Sequence, residues 1–304
     1  MGTVLSLELG AVDQDEASRI FGECWAEADR LEKIFSRYDP ESELSRINRT
    51  AAGGPVEISE EMLEVLSRAI GLSRLTGGAF DVTVGPLLAA WGMFPRREGR
   101  VPDRREIAAV LSRTGWEKID LNRKNRTVRF LSPGLEIDLG GLAKGYAVDR
   151  LAALLAAQGV KSALVNAGGD IYCLGEHPEK RGWRIGVEHP REEGEVLAVL
   201  ELEDRAVATS GDYRNYFIRL DRRYSHIIDP RTGEPAQTGV MEVTVLAPDC
   251  LTADGLATAL FVLGPERGLE LLDTGRDWEG LVIAGENGEL VIHRSAGFPV
   301  KEER

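Results

Sequence analysis

A run of alternating apolar residues that breaks at a double glycine and resumes as a helix constrains this chain more than any other stretch. It occupies residues 136–150, with the break at Gly140 and Gly141. The N–H groups at a helix start are unpaired and carry partial positive charge, and paired glycines allow a phosphate to approach the backbone. Asp138 before the break and Lys144 after it add one charge of each sign. The stretch therefore predicts half of a nucleotide site.

Composition narrows the class of protein. The chain has 304 residues, 43% of them apolar, which is enough for one large domain or two intimately packed ones, and we expect one domain over residues 1–304. Its net charge of -13 argues against nucleic acids and anionic membranes as partners, because neither is attracted to an acidic surface. Three cysteines, Cys24, Cys173 and Cys250, stand far apart, which favours buried free thiols over disulfides or a metal cluster.

The sequence contains no apolar run of the roughly 18 residues that a membrane span needs. Its first residues lack the basic-then-apolar pattern of a signal peptide, and no cysteine stands near the start for a lipid anchor. As written, the chain is expected to act in the cytoplasm, or outside the cytoplasm if a leader has been removed.

Hydrophobic periodicity predicts helices separated by many short strands. The helices are expected over residues 13–36, 59–76, 103–112, 142–158, 250–263 and 266–273. Strands are expected over residues 1–9, 79–87, 117–121, 127–131, 135–139, 163–167, 184–188, 196–202, 206–209, 216–220, 224–228 and 239–247, with a hairpin at 286–288. Residues 38–48 read as a polar segment. Tight turns between the strands favour antiparallel pairing, hence an α+β fold rather than a doubly wound sheet.

Three clusters could carry chemistry. The first is the charged double-glycine stretch already described, and its glycine spacing matches neither a dinucleotide-binding nor a Walker loop. The second, residues 224–233, places His226 among a carboxylate and an arginine. The third places Asp254 and Thr258 four residues apart on a helix, so their side chains point the same way. Two such oxygen donors suit a hard cation such as Mg²⁺.

Taken alone, each candidate residue also has a purely structural interpretation. Asp254 suits a helix-start cap as well as a metal ligand. A single histidine such as His226 is more often a hydrogen-bonded structural residue than a catalyst, and Lys144 suits a solvated helix lysine. Phe80 could stack on a flat ligand, but a core position is commoner, and Tyr38 suits an exposed rim.

Eight motifs in order resemble those of one family, the FAD:protein FMN transferases, also called the ApbE family. They read M-G-T, S-R-Y-D-P-E-S-E-L-S-R-I-N, G-G-A-F-D-V-T-V-G-P-L, D-L-G-G-L-A-K-G-Y-A-V-D, V-N-A-G-G-D, S-G-D-Y-R-N-Y, S-H-I-I-D-P-R-T-G and T-A-D-G-L-A-T-A, from residue 1 to about residue 264. The resemblance implies a single ApbE-like, T-fold-related domain with its nucleotide site in a central cleft.

The resemblance also implies a reaction and its residues. FMN would pass from FAD to a threonine or serine hydroxyl of a target protein, with Mg²⁺ bound and AMP released. The residues implied to bind FAD are Met1, Tyr38, Ala79, Phe80, Asp81, Asp138, Lys144 and Ile228. The metal would be held by the Asp254 carboxylate, the Thr258 hydroxyl and the Gly141 carbonyl, which the double glycine would turn toward the ion. Some members carry an aspartate where this chain has Ala257, so the resemblance leaves open whether one or two metal ions bind.

Catalytic roles are expected for three residues, and the acceptor remains open. Lys144 and Asp138 would act on the flavin nucleotide, and His226 would contact the phosphates or move a proton. The family implies that the acceptor is a flavoprotein subunit of a membrane redox complex. Two other functions use the same residues: an FAD pyrophosphatase with water as acceptor, and an FAD-binding carrier without turnover.

Overall fold

The structure is a computed structural model that describes most of the chain. It covers residues 3–10, 12–94, 98–192, 194–213, 215–219, 222–275, 277–286, 289–300 and 302–303, without the side chains of 286, 302 and 303. Met1, an expected FAD contact, and the expected turn residues 287–288 lie outside these ranges. Two compact units make up the chain. Unit 1 comprises Met1–Leu31, Leu142–Gly211 and Gly239–Arg304, and unit 2 comprises Glu32–Gly141 and Asp212–Thr238.

Several of the described helices begin at capping residues that the sequence marks. They are α1 (Gln14–Phe35), α2 (Glu43–Thr50), α3 (Glu60–Leu75), α4 (Gly85–Ala90), α5 (Arg104–Leu111), α6 (Ala143–Ala157), α7 (Cys250–Leu263) and α8 (Pro265–Leu272). The side chains of Ser59 and Asp103 accept hydrogen bonds from the first amides of α3 and α5, as expected. Short 3-10 helices occupy Val82–Val84 and Trp116–Lys118. Across the described residues, no helix has the length and apolar character that a membrane crossing needs.

The strands pair antiparallel throughout the described sheets. They are β1 (Leu5–Leu9), β2 (Val56–Glu57), β3 (Ile119–Asn122), β4 (Thr127–Phe130), β5 (Ala163–Ala167), β6 (Asp170–Leu174), β7 (Trp183–Glu188), β8 (Val196–Leu202), β9 (Arg205–Gly211), β10 (Tyr216–Arg219), β11 (Arg222–Ser225), β12 (Ile228–Asp229), β13 (Glu234–Pro235), β14 (Val240–Ala247), β15 (Glu279–Glu286), β16 (Glu289–Arg294) and β17 (Glu302–Glu303). The α+β class is therefore confirmed.

Unit 1 is a seven-stranded sheet covered by helices and a second, smaller sheet. The strand order is β1-β5-β6-β9-β14-β15-β16. Helix α7 packs on β9 and β14, helix α6 packs on β5 and β6, and the two helices contact each other. The smaller sheet, ordered β17-β8-β7, buries Trp183 and Leu200 in a core shared with Val207 and Leu281 of the large sheet. The α6–α7 contact carries the charged cluster described below.

Unit 2 is built from short elements around its own apolar core. The sheet ordered β2-β4-β3 and the small ribbons β10-β11 and β12-β13 belong to it. Leu87 and Trp91 from the α4 region, Ile107 and Val110 from α5, and Ile228 from β12 are buried together. The indole N–H of Trp91 donates to a backbone carbonyl 2.8 Å away, so the buried indole keeps a hydrogen-bond partner.

Two expected strands in unit 2 are wrong. Residues 79–87 alternate like a strand, yet Val82–Val84 is a 3-10 helix, and Gly85 then opens α4 with a proline in its first turn. Residues 135–139 are extended, but Asn48 replaces a neighbouring strand there, because its side-chain amide bonds both the N–H and the C=O of Ile137. The predicted polar segment 38–48 also contains the start of α2, which Ser42 caps.

Candidate functional site

Three charged side chains of unit 1 converge on one point. The Lys144 ammonium donates a hydrogen bond to Asp254 Oδ2, 2.9 Å away, and lies 2.9 Å from Asp170 Oδ2. The two carboxylates are 5% and 2% exposed, and the lysine side chain is 25% exposed. These three residues are called the charged cluster from here on. It joins two residues of the expected site to Asp170, for which sequence reasoning had proposed no role.

Each member of the charged cluster stands at the start of an element or one turn into it. Lys144 is in the first turn of α6, and Asp254 is in the second turn of α7. Asp170 begins β6 directly after a turn in which Gly168 and Gly169 have φ of 66° and 97°. Residues other than glycine rarely adopt such φ angles, so the double glycine lets the chain reverse immediately before the Asp170 carboxylate. The β5–β6 hairpin thereby brings Asp170 to the α6–α7 contact.

The charged cluster has two carboxyl groups for one ammonium group. Burial and the charge of Asp254 outweigh the attraction of Lys144, and together they raise the pKa of Asp170 to about 8. Burial opposes the charged form of Lys144, but the two carboxylates prevail and raise the pKa of its ammonium above the ordinary value. Two carboxylates share one cation, so the cluster can accept further positive charge.

An oxygen donor from the same helix lies one turn beyond Asp254. Thr258 is half-buried, and its hydroxyl oxygen is 3.4 Å from the hydroxyl oxygen of Ser210 on β9. The four-residue spacing along α7 puts Asp254 and Thr258 on one face, as the sequence predicts. Ala257, which stands between them, is fully buried and supplies no ligand atom.

The donor set fits a hard divalent cation. Two carboxylates and a hydroxyl are oxygen ligands of the kind Mg²⁺ takes, with water and substrate oxygens completing the shell. Apart from its ion contact with Lys144, the buried Asp170 Oδ2 accepts no hydrogen bond within the described part of the chain. Among the described residues, no three His, Cys, Asp or Glu side chains form a metal cluster, so protein groups alone would leave most of the shell to water and substrate.

In unit 2, Asp138 is held by an arginine that sequence reasoning missed. Arg37 Nη1 donates to Asp138 Oδ2 at 2.7 Å, and Arg37 Nη2 donates to Glu136 Oε2 at 3.1 Å. The Arg37 side chain is 8% exposed, and its guanidinium lies 3.7 Å from the centre of the Phe94 ring. The other Asp138 oxygen accepts the N–H of Gly140 at 2.8 Å. Asp138 is therefore fixed in orientation before any ligand arrives.

The other expected flavin contacts also fall in unit 2, with different exposures. Tyr38 is 58% exposed and packs its ring against Phe94 at 5.2 Å between centroids. Ala79, Phe80 and Ile228 are buried. The exposed tyrosine ring is thus open to a flat ligand, whereas the side chains of the three buried residues are covered by the protein.

Asp81, also expected to bind flavin, is engaged within its own loop. One carboxylate oxygen accepts from the N–H and the hydroxyl of Thr83, both at 2.8 Å, and the other accepts from the N–H of Trp116 at 2.9 Å. Burial raises the pKa of Asp81, and these hydrogen bonds oppose that rise. Its role in flavin binding stays a prediction, as does that of the other expected contacts.

His226 follows β11 in unit 2 and is oriented by a backbone carbonyl. Its Nδ1 lies 3.0 Å from the carbonyl oxygen of Asn215, and its backbone N–H donates to the same oxygen at 3.0 Å. A carbonyl only accepts hydrogen bonds, so this contact selects the tautomer that is protonated on Nδ1 and carries its lone pair on Nε2. A neutral imidazole of this form can accept a proton.

Comparisons with known proteins identify the family to which this geometry belongs. A protein-family model described as "ApbE family" matches residues 1–282 of this chain. The chain belongs to the ApbE family. A curated FAD:protein FMN transferase from Haemophilus influenzae is 40% identical over 268 residues, which cover 86% of this chain and 78% of that relative.

Solved ApbE structures agree over nearly the whole chain. The flavin transferase ApbE from Vibrio cholerae superposes with a TM-score of 0.87 at 36% identity, covering 98% of this chain and 95% of that one. The ApbE protein from Thermotoga maritima gives 0.86 at 35% identity, with 97% and 96% covered. The ApbE-like fold that the motifs predict is therefore confirmed.

Proposed function

We propose that this chain transfers FMN from FAD to a threonine or serine hydroxyl of a target flavoprotein in a Mg²⁺-dependent reaction that releases AMP. The carrying observation is the charged cluster of Lys144, Asp170 and Asp254, found in a chain whose ApbE relatives are named FAD:protein FMN transferase. A cluster of this composition can hold a divalent cation at its carboxylates and a phosphate oxygen at its ammonium. A pyrophosphate with its bound metal ion brings both the divalent cation and the phosphate oxygen.

In the proposed reaction the acceptor hydroxyl oxygen forms a bond to the phosphorus on the FMN side of the pyrophosphate. The bond from that phosphorus to the bridging oxygen breaks, and its electron pair leaves with AMP. Mg²⁺ would supply neutralisation of the charge that develops on the bridging and leaving oxygens. Asp254 and Thr258 would hold the ion with Asp170 nearby, and the Gly141 carbonyl is added from the family resemblance alone. Lys144 would hold a pyrophosphate oxygen.

His226 is the proposed proton acceptor. Its Nδ1 contact with the Asn215 carbonyl supports a lone pair on Nε2, which can take the proton that the acceptor hydroxyl loses. The carbonyl orients the ring in the way that a carboxylate orients the histidine of a hydrolase triad. Tyr38, Ala79, Phe80, Asp81, Asp138 and Ile228 are retained as proposed flavin contacts, and so is Met1.

The proposed acceptor is a flavoprotein subunit of a membrane redox complex. One experiment tests the transfer itself. The protein is incubated with FAD, Mg²⁺ and a candidate acceptor domain, AMP is measured by chromatography, and the mass of the acceptor is measured by spectrometry. AMP release with an acceptor that gains one FMN group supports transfer. AMP without a mass gain would instead indicate an FAD pyrophosphatase, and tight FAD binding without AMP would indicate a carrier.

A further inference from the structure

The first turn of α7 is tied to α6 by a carboxylate that lies outside the charged cluster. Asp149 of α6 accepts the N–H of Cys250 at 2.6 Å on one oxygen and the N–H of Leu251 at 2.9 Å on the other. Asp249 accepts the next amide, that of Thr252, at 2.9 Å. The first amides of a helix have no partner within it. Two carboxylates therefore satisfy the first three amides of α7, and two of those three depend on α6.

A glycine on the same face of α6 sets how closely the helices approach. Gly145 is one turn before Asp149, and a Cβ added at Gly145 would lie 2.5 Å from the carbonyl oxygen of Cys250. Only a residue without a side chain fits at that distance. Cys250 is thus held from both sides, with its carbonyl against Gly145 and its N–H on Asp149.

This contact lies next to both ends of the central ion pair. Lys144 precedes Gly145 directly, and Asp254 is four residues, about one turn, after Cys250. A shift of α7 along α6 by even part of a turn would separate the Lys144 ammonium from Asp254, now 2.9 Å apart. We propose that Asp149 is a positioning residue, which fixes the register of α7 on α6 so that the carboxylates of the charged cluster can hold a divalent cation. The inference rests on the proposed function above, because it takes the cluster as the cation site.

The test compares two substitutions at the same helix end. Asp149→Asn replaces one accepting oxygen with an NH₂ group, which cannot accept the α7 amide that it faces. Asp249→Asn makes the same chemical change in the local cap, and asparagine is also a good N-cap. Binding of Mn²⁺, used as a probe for Mg²⁺, is titrated by electron paramagnetic resonance in each purified full-length protein. Thermal unfolding is recorded in parallel.

Asp149→Asn is expected to weaken Mn²⁺ binding by about tenfold or more, a loss typical of residues that orient metal ligands. Asp249→Asn should keep the affinity within about twofold, as is usual for a substitution that preserves the local contact. If Asp149 were only a structural cap, its replacement would lower the melting temperature without changing the Mn²⁺ affinity of the folded protein. Unchanged affinity in Asp149→Asn would therefore overturn the inference.

A second variant covers the case in which Asp149→Asn does not fold. Asp149→Glu keeps the charge and both accepting oxygens but lengthens the side chain by one methylene, which shifts α7. Weaker Mn²⁺ binding in that variant supports the inference. A Mn²⁺ affinity equal to that of the wild-type protein would overturn it. Failure of the unchanged chain to bind Mn²⁺ and to release AMP from FAD would overturn the proposed function together with the inference. Normal AMP release combined with wild-type Mn²⁺ affinity in the variants overturns the inference alone.

Discussion

The charge balance of the cluster determines what it can hold. Lys144 is shared between two buried carboxylates, so one negative charge remains when both are ionised. Removing one carboxylate leaves a matched pair, because Lys144 still has the other at 2.9 Å. Such a variant would stay folded while losing the charge that attracts a divalent cation. Loss of function can therefore be separated here from loss of structure.

Replacing Asp254 with alanine should lower Mg²⁺-dependent AMP release from FAD by at least about 100-fold. The substitution removes a proposed metal ligand and the second carboxylate of the charged cluster. Lys144 would remain paired with Asp170, so the circular dichroism spectrum should be unchanged. Release of AMP is measured by chromatography across a Mg²⁺ series. Asp273→Ala, at the exposed end of α8, is the control and should act like the unchanged chain. Undiminished release in Asp254→Ala would contradict the metal assignment.

Replacing His226 with alanine should lower the rate of FMN transfer by about 10²–10⁴-fold while FAD affinity stays near its original value, because proton removal is lost without removal of a binding group. His226→Gln serves as a companion variant, since its amide can bond the Asn215 carbonyl yet cannot take up a proton. Single-turnover kinetics and FAD titration measure the two quantities separately. Full transfer activity in both variants would rule out a proton-transfer role.

Sequence reasoning identified Lys144 and Asp254 of the charged cluster and the nearby Thr258, but it missed Asp170, and in unit 2 it missed Arg37, for a physical reason. The four-residue spacing of Asp254 and Thr258 on a helix indicated those two residues, and the position of Lys144 after a glycine break indicated the lysine. Asp170 stands in the motif V-N-A-G-G-D, but its partners are 26 and 84 residues distant, and only the β5–β6 hairpin brings them together. Arg37 lies beside the recognised Tyr38, and its bond to Asp138 spans 101 residues. Spacing along one element is readable from sequence, whereas contacts between distant elements are not.

At the scale of elements, the close approach of α6 to α7 depends on one missing side chain. Gly145→Ala should destabilise the protein by about 1–3 kcal/mol, because the new methyl group would overlap the Cys250 carbonyl. Gly71→Ala in α3 and Gly22→Ala in α1 are matched controls, since an added Cβ meets nothing within 4 Å at either exposed position. Each control should gain about 0.4–1 kcal/mol. Chemical denaturation measures all three, and equal effects at the three sites would contradict a tight helix contact.

Local signals predicted helix ends better than they predicted strands. Capping residues such as Ser59 and Asp103 placed the starts of α3 and α5, because a cap bonds amides only two or three residues away. Residues 79–87 misled the prediction because apolar and polar residues alternate there, while Asp81 caps a 3-10 turn instead. In residues 135–139, a side-chain amide of Asn48 takes the bonds that a strand would have made. An extended backbone and a paired strand look the same in sequence.

At the scale of the whole molecule, the long-range connections could not be predicted. Unit 1 is assembled from three separate chain segments, and its large sheet places β9 between β6 and β14. Turns between consecutive strands predicted antiparallel hairpins such as β3–β4, but the sequence holds no local signal for pairing strands far apart along the chain. The family resemblance supplied what spacing could not, and the superposition on solved ApbE structures confirms the fold.

The three thiols report on the integrity of unit 1, since Cys24 lies in α1, Cys173 in β6 and Cys250 in α7, and all are buried. Burial raises the pKa of Cys24 to about 11 and that of Cys173 to about 12, and raises that of Cys250 well above its ordinary value. The thiolate is the reactive form, so at about pH 8 none of the three should react with a disulfide reagent in the native protein. All three should react after unfolding in guanidinium.

The same shifts set an alkaline limit to stability. A thiol whose pKa is raised on folding stabilises the native state fully below its unfolded pKa, near 9, and that contribution is lost as the pH rises toward about 11. Stability should therefore fall by about 1.4 kcal/mol per pH unit for each buried thiol in that window. Denaturant unfolding measured at several pH values above 8 checks this fall in stability. Colorimetric thiol counting checks the reactivity of the three thiols, with Ser112→Cys at an exposed position as a fast-reacting control. Rapid native-state reaction of any original thiol at pH 8 would mean that unit 1 opens far more readily than its packing implies.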